Sequence, residues 1–352
     1  MVKQQYNVIG LMSGTSLDGL DVCYVEFTHQ NYKWNYKIKA AETFRYSPKV
    51  KESLESAHQL NALDFILLEK QYGRFIGKII NAFVKTYSCA PDFIASHGHT
   101  IFHQPDKMLT YQIGDGASIA AECCLPVICD FRSLDVALGG QGAPLVPIGD
   151  HLLFNKYDYC LNIGGFANIS FEDNGERTAY DVCPANIVLN YYSEKLGKTY
   201  DNEGAIAAHG IINRQLVERL NQLEFYTGKQ PKSLGREWVE ELFLPIVEQF
   251  DIAINDKLAS VCEHIAQQIA CTAKNSKLFI TGGGAYNTHL INRIKYHSNC
   301  KIIIPDELTI DFKEALIFAF LGVLYITDQP NCLSSVTGAK FNSIGGSMFK
   351  VY

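Results

Sequence analysis

The densest run of reactive side chains is Ser13-Gly14-Thr15-Ser16-Leu17-Asp18-Gly19, with Leu20 and Asp21 following at once. Gly14 and Gly19 are free to take positive φ and to let a ligand approach the backbone closely. Consecutive N–H groups in such a turn make an anion-binding concavity. Thr15 and Ser16 are donors for phosphate oxygens, and Asp18 or Asp21 is suited to hold Mg²⁺ through water. An ordinary hairpin needs only two or three turn residues, so Gly14 to Asp21 reads as a phosphate site.

Other candidates are spread along the chain. Asp181 follows an apolar run and precedes Pro184, a residue suited to the first turn of a helix. It is open to two readings, a helix cap or a general base for water or a hydroxyl. His97, His99 and His103 have H-x-H-x₃-H spacing, but no carboxylate or cysteine stands at ligand spacing, so a polar loop is favoured over a metal site. Asp130 and Arg132 suit sugar hydroxyls or a substrate carboxylate, with a structural ion pair as the equal alternative. Pro231 to Glu237 reads as a polar loop capping a helix. Gly197-Lys198-Thr199 lacks the first glycine of a P-loop, because Tyr192 holds its place. No G-x-G-x-x-G follows a strand, which leaves a dinucleotide fold without support.

These residues need elements to position them. Val8–Met12 and Leu20–Phe27 read as strands flanking the first turn, and Tyr32–Phe44 as a third. Asn61–Tyr87 is helical by period, with Ile76, Ile79, Ile80, Phe83 and Tyr87 on one face. Short strands at Phe93–Ser96, Thr110–Ile113 and Pro126–Cys129 each deliver a polar loop and then a helix. That is the α/β pattern, with function at the carboxyl ends of strands. Gly139–Pro144 reads as a flexible joint. Beyond it, Tyr159–Ile163, a turn at Gly164–Asn168 and Ile169–Glu172 echo the opening hairpin, and Thr178–Asp181 is a further strand. Glu203–Leu223, Arg236–Phe250, Asp256–Ala273 and Glu314–Ile326 read as helices, and Leu278–Thr281 as a strand ending in Gly282-Gly283-Gly284. The expected arrangement is two α/β halves with a nucleotide in the cleft between them. Both hairpin turns would face its phosphates and the triple glycine its adenosine.

The 352 residues, 47% hydrophobic and 19% charged, are enough for two domains. A net charge of -6 without a Lys/Arg cluster argues against nucleic acid and anionic membrane as partners. Cys23, Cys160, Cys262 and Cys271 read as small buried residues in a reducing compartment. No secretory signal is evident, and Ala315–Ile326 is too short to span a bilayer. A cytoplasmic protein is expected.

Taken in order, several stretches resemble the anhydro-N-acetylmuramic acid kinase family. They are Ile9-Gly-Leu-Met-Ser-Gly-Thr-Ser-Leu-Asp-Gly19, His97-Gly98 with Thr100, Gln112-Ile-Gly-Asp115, Asp130-Phe-Arg132 and Ala137-Leu-Gly-Gly-Gln-Gly-Ala-Pro-Leu-Val-Pro147. Further on come Leu161-Asn-Ile-Gly-Gly165 with Ala167-Asn168, Pro231-Lys-Ser233 with Gly235-Arg-Glu237, Gly282-Gly-Gly284 and Ser335-Val-Thr-Gly-Ala339.

The resemblance implies a two-lobed sugar-kinase/Hsp70/actin-type (ribonuclease H-like) α/β fold around an ATP·Mg²⁺ cleft. The first lobe would be 1–140 and the second 141–352, with the last helix free to return to the first. It implies cleavage of a 1,6-anhydro bridge coupled to phosphorylation of O6, in peptidoglycan recycling. Gly14, Thr15, Ser16, Leu17, Asp18, Gly19, Leu20 and Asp21, with Gly164 and Gly165, would bind the phosphates. Gly282, Gly283 and Gly284 would line the adenosine. Asp181 would be the catalytic base, and His97, Asp115, Asp130, Arg132 and Asn186 would face the sugar. The partners would be ATP and an anhydro sugar, with a homodimer left open. The family carries Asp-Thr-Gly-Pro-Gly-Asn where this chain has Asp181-Val-Cys-Pro-Ala-Asn186, so a left-handed backbone at Cys183 or Ala185 would be strained. The family's usual Gln after His-Gly is His99 here, and Ser133-Leu134 replaces a basic run. These departures leave two rivals: a kinase for another anhydro sugar, and a non-catalytic nucleotide or sugar sensor.

Overall fold

The computed structural model describes residues 5–228 and 232–351. Twelve strands are present among them: β1 (Gln5–Ser13), β2 (Gly19–Gln30), β3 (Lys33–Arg45), β4 (Phe93–Gln104), β5 (Leu109–Ile113), β6 (Val127–Cys129), β7 (Tyr159–Ile163), β8 (Phe166–Asp173), β9 (Glu176–Pro184), β10 (Lys277–Thr281), β11 (Lys301–Ile303) and β12 (Ser347–Phe349). They form two sheets, β12-β6-β4-β1-β2-β3 with β5 paired to β4, and β11-β10-β7-β8-β9.

The directions repeat. In the first sheet β1 is antiparallel to β2, β2 to β3, and parallel to β4, which is parallel to β6. In the second, β7 is antiparallel to β8, β8 to β9, and β7 is parallel to β10, which is parallel to β11. An antiparallel hairpin plus parallel neighbours, twice in one chain, is the duplicated α/β order of the sugar-kinase/Hsp70/actin type. Two compact units result: one runs to Leu153 and resumes at Phe312, the other is Phe154–Asp311. The divisions fall at 153/154 and 311/312, whereas 140/141 was expected. The second lies inside the helix Glu307–Ile326, where Phe312 leaves helical geometry (φ -111, ψ 16).

In the first unit, β1 is buried on both faces, as a central strand must be. Ile9 and Leu11 face the helix Ala62–Tyr87, whose Ile76, Ile80 and Phe83 share their core. Asn61 caps that helix by accepting from the Asp64 N–H at 3.0 Å. Tyr87, expected on the apolar face, is 42% exposed and donates to Glu42 instead. Gly10 looks the other way, and a Cβ there would strike Ala315 and Ala319. Absence of a side chain at that point lets the helix Glu307–Ile326 lie directly on the sheet.

In the second unit, Leu161, Ile163, Ile169, Val182 and Cys183 pack on Leu258, Val261, Ile265 and Ile269 of the helix Ile254–Thr272. The expected helix Glu203–Leu223 is broken. Asp201 takes the N–H groups of Ile206 and Ala207, and Asn213 starts a new helix, Arg214–Asn221, by accepting from Leu216. Between them, Gly210 lies so close to the Asn255 carbonyl that no Cβ fits. All eleven cysteines are free thiols; Cys23, Cys160 and Cys262 are buried, whereas Cys271 is exposed, contrary to expectation. No helix among the described residues is long and apolar enough to cross a membrane.

Candidate functional site

The β1–β2 connection is the turn expected to hold phosphate. Thr15, Ser16 and Asp18 are exposed, while Leu17 is buried and anchors the turn. The left-handed residue is Leu17 (φ 56), not either glycine, and its N–H closes on Gly14 O at 3.2 Å. Gly19 is required by packing, since a Cβ would come within 2.6 Å of the Phe44 carbonyl. Gly14 has no such need; its nearest neighbour would be Ser16 Oγ at 3.6 Å. Open space beside a glycine that neither conformation nor packing demands suits an approaching anion. Leu20 is buried in β2, and Asp21 accepts from Thr43 Oγ1 at 2.6 Å. Asp18 and Asp21 are hard carboxylate donors and fit a water-bridged Mg²⁺.

The turn is supported by β4. The expected loop His97-Gly98-His99-Thr100 is instead strand, because β4 continues to Gln104 in antiparallel pairing with β5. Gly98 (φ +75) makes this possible, as a Cβ would lie 2.5 Å from Ile113 O. His97 Nε2 accepts from Arg132 Nε at 3.0 Å, and its Nδ1–H donates to Gly98 O at 2.9 Å. Burial, then the Arg132 charge, holds His97 well below its usual range, so it is neutral. Arg132 also donates to Gly142 O at 2.6 Å, and burial pulls it down to about 10. His99 pairs with Ser13 and His103 with Thr110. No cluster of metal-ligating side chains occurs among the described residues.

The remaining first-unit sugar candidates have local partners. Asp115 caps the helix Gly116–Cys123 through Ser118 N–H at 2.7 Å and pairs with Lys70 at 2.8 Å. Asp130 accepts from Ser133 Oγ at 2.5 Å, so Arg132 and Asp130 serve different partners. The segment Gly139–Pro144, expected to be flexible, is pinned. Asp135, fully buried, accepts from Gly142 N–H and Thr337 Oγ1, both at 2.7 Å, and Gln141 N–H reaches Thr337 O. Two distant glycine-bearing motifs therefore meet on one carboxylate.

In the second unit, Gly164 and Gly165 connect β7 to β8. Their carbonyls accept from Asn186, Ala185 and Ile187 at the start of the helix Asn186–Glu194. Neither has positive φ, and an added Cβ would meet nothing nearer than 3.5 Å at Gly164 or 3.9 Å at Gly165. Asn186 Nδ2 donates to Ile163 O at 3.3 Å. Gly282 (φ +80) and Gly284 are demanded by packing against Asn162 and Ile163, whereas a Cβ at Gly283 would meet only Asn186 Nδ2 at 3.7 Å.

Asp181 lies inside β9, not at its end, and is no helix cap; Pro184 closes the strand and does not enter the helix. Asn168 Nδ2 donates to Asp181 Oδ1, and the Leu234 N–H donates to Oδ2 at 2.7 Å. Asp181 N–H in turn donates to Lys232 O at 2.9 Å. Each oxygen keeps a lone pair for a further proton. Burial raises the Asp181 carboxyl above its usual range, and the two hydrogen bonds only partly offset this. Tyr180 and Val182, the neighbours of Asp181 in β9, line a cavity of about 380 Å³ with Lys232, Tyr159, Phe171 and Cys271. The Lys232–Glu237 loop is thus more than the expected cap: it grips the carboxylate. Pro231 of that motif lies outside the described residues. Cys183 is buried with a strand backbone, and Ala185 has φ -132, so neither carries the expected left-handed strain.

Asn168 and Leu234 were not read as site residues from sequence, and His99 was weighed only in the H-x-H-x₃-H spacing and read as part of a polar loop. Asn168 and the 232–237 loop did fall within the ordered family motifs, which was the only signal.

A family model described as anhydro-N-acetylmuramic acid kinase matches residues 6–351. The chain is 33% identical to the anhydro-N-acetylmuramic acid kinase of Shewanella pealeana, over 97% of this chain and 98% of that one. It is 34% identical to the enzyme of the same name from Shewanella frigidimarina, over 99% and 100%. Among solved structures, it is similar to the activator of 2-hydroxyisocaproyl-CoA dehydratase from Clostridium difficile with bound ADPNP. That likeness has a TM-score of 0.44 and 14% identity, covering 92% of this chain and 97% of that one.

Proposed function

The chain belongs to the anhydro-N-acetylmuramic acid kinase family and is a kinase, and we propose that it uses ATP to open and phosphorylate anhydro-N-acetylmuramic acid during peptidoglycan recycling. Asp181 accepts a proton from water, and the water oxygen bonds to the anomeric carbon. The C1–O6 bond of the anhydro bridge breaks, and the freed O6 attacks the γ-phosphoryl group, releasing ADP. The Ser13–Gly19 turn and the Gly164–Gly165 turn serve the phosphates, with Gly283 toward the adenosine. Asp18 or Asp21 would hold Mg²⁺ through water, where it neutralises phosphate charge. Phosphoryl transfer otherwise needs mostly positioning. His97, with both ring nitrogens engaged, positions Arg132, whose remaining guanidinium N–H groups serve the sugar.

The observation that carries this reading is the setting of Asp181. Its carboxyl is raised by burial, held at both oxygens by a side-chain amide and a backbone N–H, and retains lone pairs to take a proton. Among the described residues no cation pairs with Asp181, and it caps no helix. Measuring ADP release from the purified protein over a panel of anhydro sugars tests it. Release dependent on anhydro-N-acetylmuramic acid is expected; ATP binding without turnover on any sugar would overturn it.

A further inference from the structure

Ser13, which opens the glycine turn, sits in a buried chain of protic groups. Tyr46 Oη donates to Ser13 Oγ at 2.7 Å, the Tyr46 and Tyr72 hydroxyls are 2.6 Å apart, and Ser13 Oγ is 2.9 Å from His99 Nδ1. The directions follow from the number of protons. Tyr46 has a single hydroxyl proton and gives it to Ser13, so the proton between the tyrosines comes from Tyr72. Ser13 Oγ already accepts and is 2% exposed, so its own proton needs a partner, and His99 Nδ1 is the acceptor at hand. Burial pushes both tyrosines up and keeps them protonated donors.

A neutral imidazole that accepts at Nδ1 carries its proton on Nε2. Burial favours the neutral form of His99, offset in part by a hydrogen bond to the Ser13 backbone. The ring is 4% exposed, and Nε2 has no partner among the described residues. His97, two residues away, has the opposite tautomer, because Arg132 occupies its Nε2.

We propose that Tyr72, Tyr46 and Ser13 form a one-way hydrogen-bond relay that fixes His99 as an Nε2–H donor to an acceptor oxygen of the substrate. The oxygen is a phosphate oxygen of ATP or a hydroxyl of the sugar, and only that identity rests on the kinase reading. The relay also ties the start of the phosphate turn to β4, so His99 and the turn share one proton arrangement.

Two measurements test this on the full chain. Nitrogen-15 NMR of the ligand-free protein is expected to show neutral His99 with its proton on Nε2 near pH 7, and Y46F should convert it toward a tautomer mixture. A proton on Nδ1 in the unaltered protein overturns the relay whether or not the chain turns over any sugar. In steady-state kinetics, H99L is expected to raise the KM of one substrate roughly tenfold, as for a lost hydrogen bond. H99Q, whose amide is also a donor, should restore most of that loss. A rise in the KM for ATP assigns the oxygen to phosphate; a rise in the sugar's KM assigns it to the sugar. Unchanged KM for both substrates in H99L overturns the donor role.

Discussion

The Leu234 N–H meets the Asp181 carboxylate at 2.7 Å across 53 positions of sequence. A loop with no regular structure thereby fixes the orientation of the one carboxyl in β9 that burial pushes upward. The same loop returns its Lys232 carbonyl to the Asp181 N–H, so backbone and side chain are held together.

Removing the proposed proton acceptor isolates its role. Asp181→Asn keeps the shape, and Asn168 can turn its amide to suit. Turnover is expected to drop by about 10²- to 10⁴-fold, with nucleotide affinity nearly unchanged by calorimetry. ADP release at the unaltered rate would remove Asp181 from the mechanism.

The raised carboxyl also sets a pH profile. The base works only when ionised, so kcat/KM is expected to fall as pH drops through a midpoint above the ordinary aspartate value of about 3.9. An acid limb at or below that value would contradict the burial argument. D181N should abolish the limb in whatever residual activity remains.

Glu248 acts on stability in the opposite sense. Lys195 and Lys257, each hydrogen-bonded to it, with Tyr192, bring it down to about 2. A lowered carboxyl contributes stability above its unfolded value of about 4.5 and loses it as pH falls toward 2. E248Q is expected to lower the Tm at pH 7 and to make little difference near pH 2. The group is partly exposed, so solvent screening keeps the effect modest. An equal Tm change at both pH values would show that charge is not responsible.

Two kinds of glycine should respond differently to alanine. At Gly165 a Cβ meets only Ile187 at 3.9 Å, so G165A should fold normally and weaken AMP-PNP binding about tenfold or more. At Gly284 a Cβ runs into the Ile163 side chain, so G284A should cost about 1–3 kcal/mol by denaturant unfolding. G165A with unaltered AMP-PNP affinity would remove that turn from the nucleotide site.

Local pattern accounts for much of the fold. Alternating burial in β2 and the helical period of Ala62–Tyr87 are visible in the chain because each depends on neighbours a few residues apart. The same is true of the helix Ile254–Thr272 and of the two hairpins that open the two sheets. The ordered motifs went further and pointed to Asp181 and both glycine turns.

What local pattern could not supply was who meets whom. Whether His97–Thr100 is loop or strand depends on β1 and β5 lying on either side of it. Whether Gly139–Pro144 bends freely depends on Asp135 and Thr337 closing around it. The sequence by itself determined the periodicities, the glycine turns and the acidic side chain, since those are written in consecutive residues. Tertiary structure alone decided the holder of that side chain, the tautomers of the two histidines and the backbone at Cys183, because each is set by groups that only folding brings within hydrogen-bond distance.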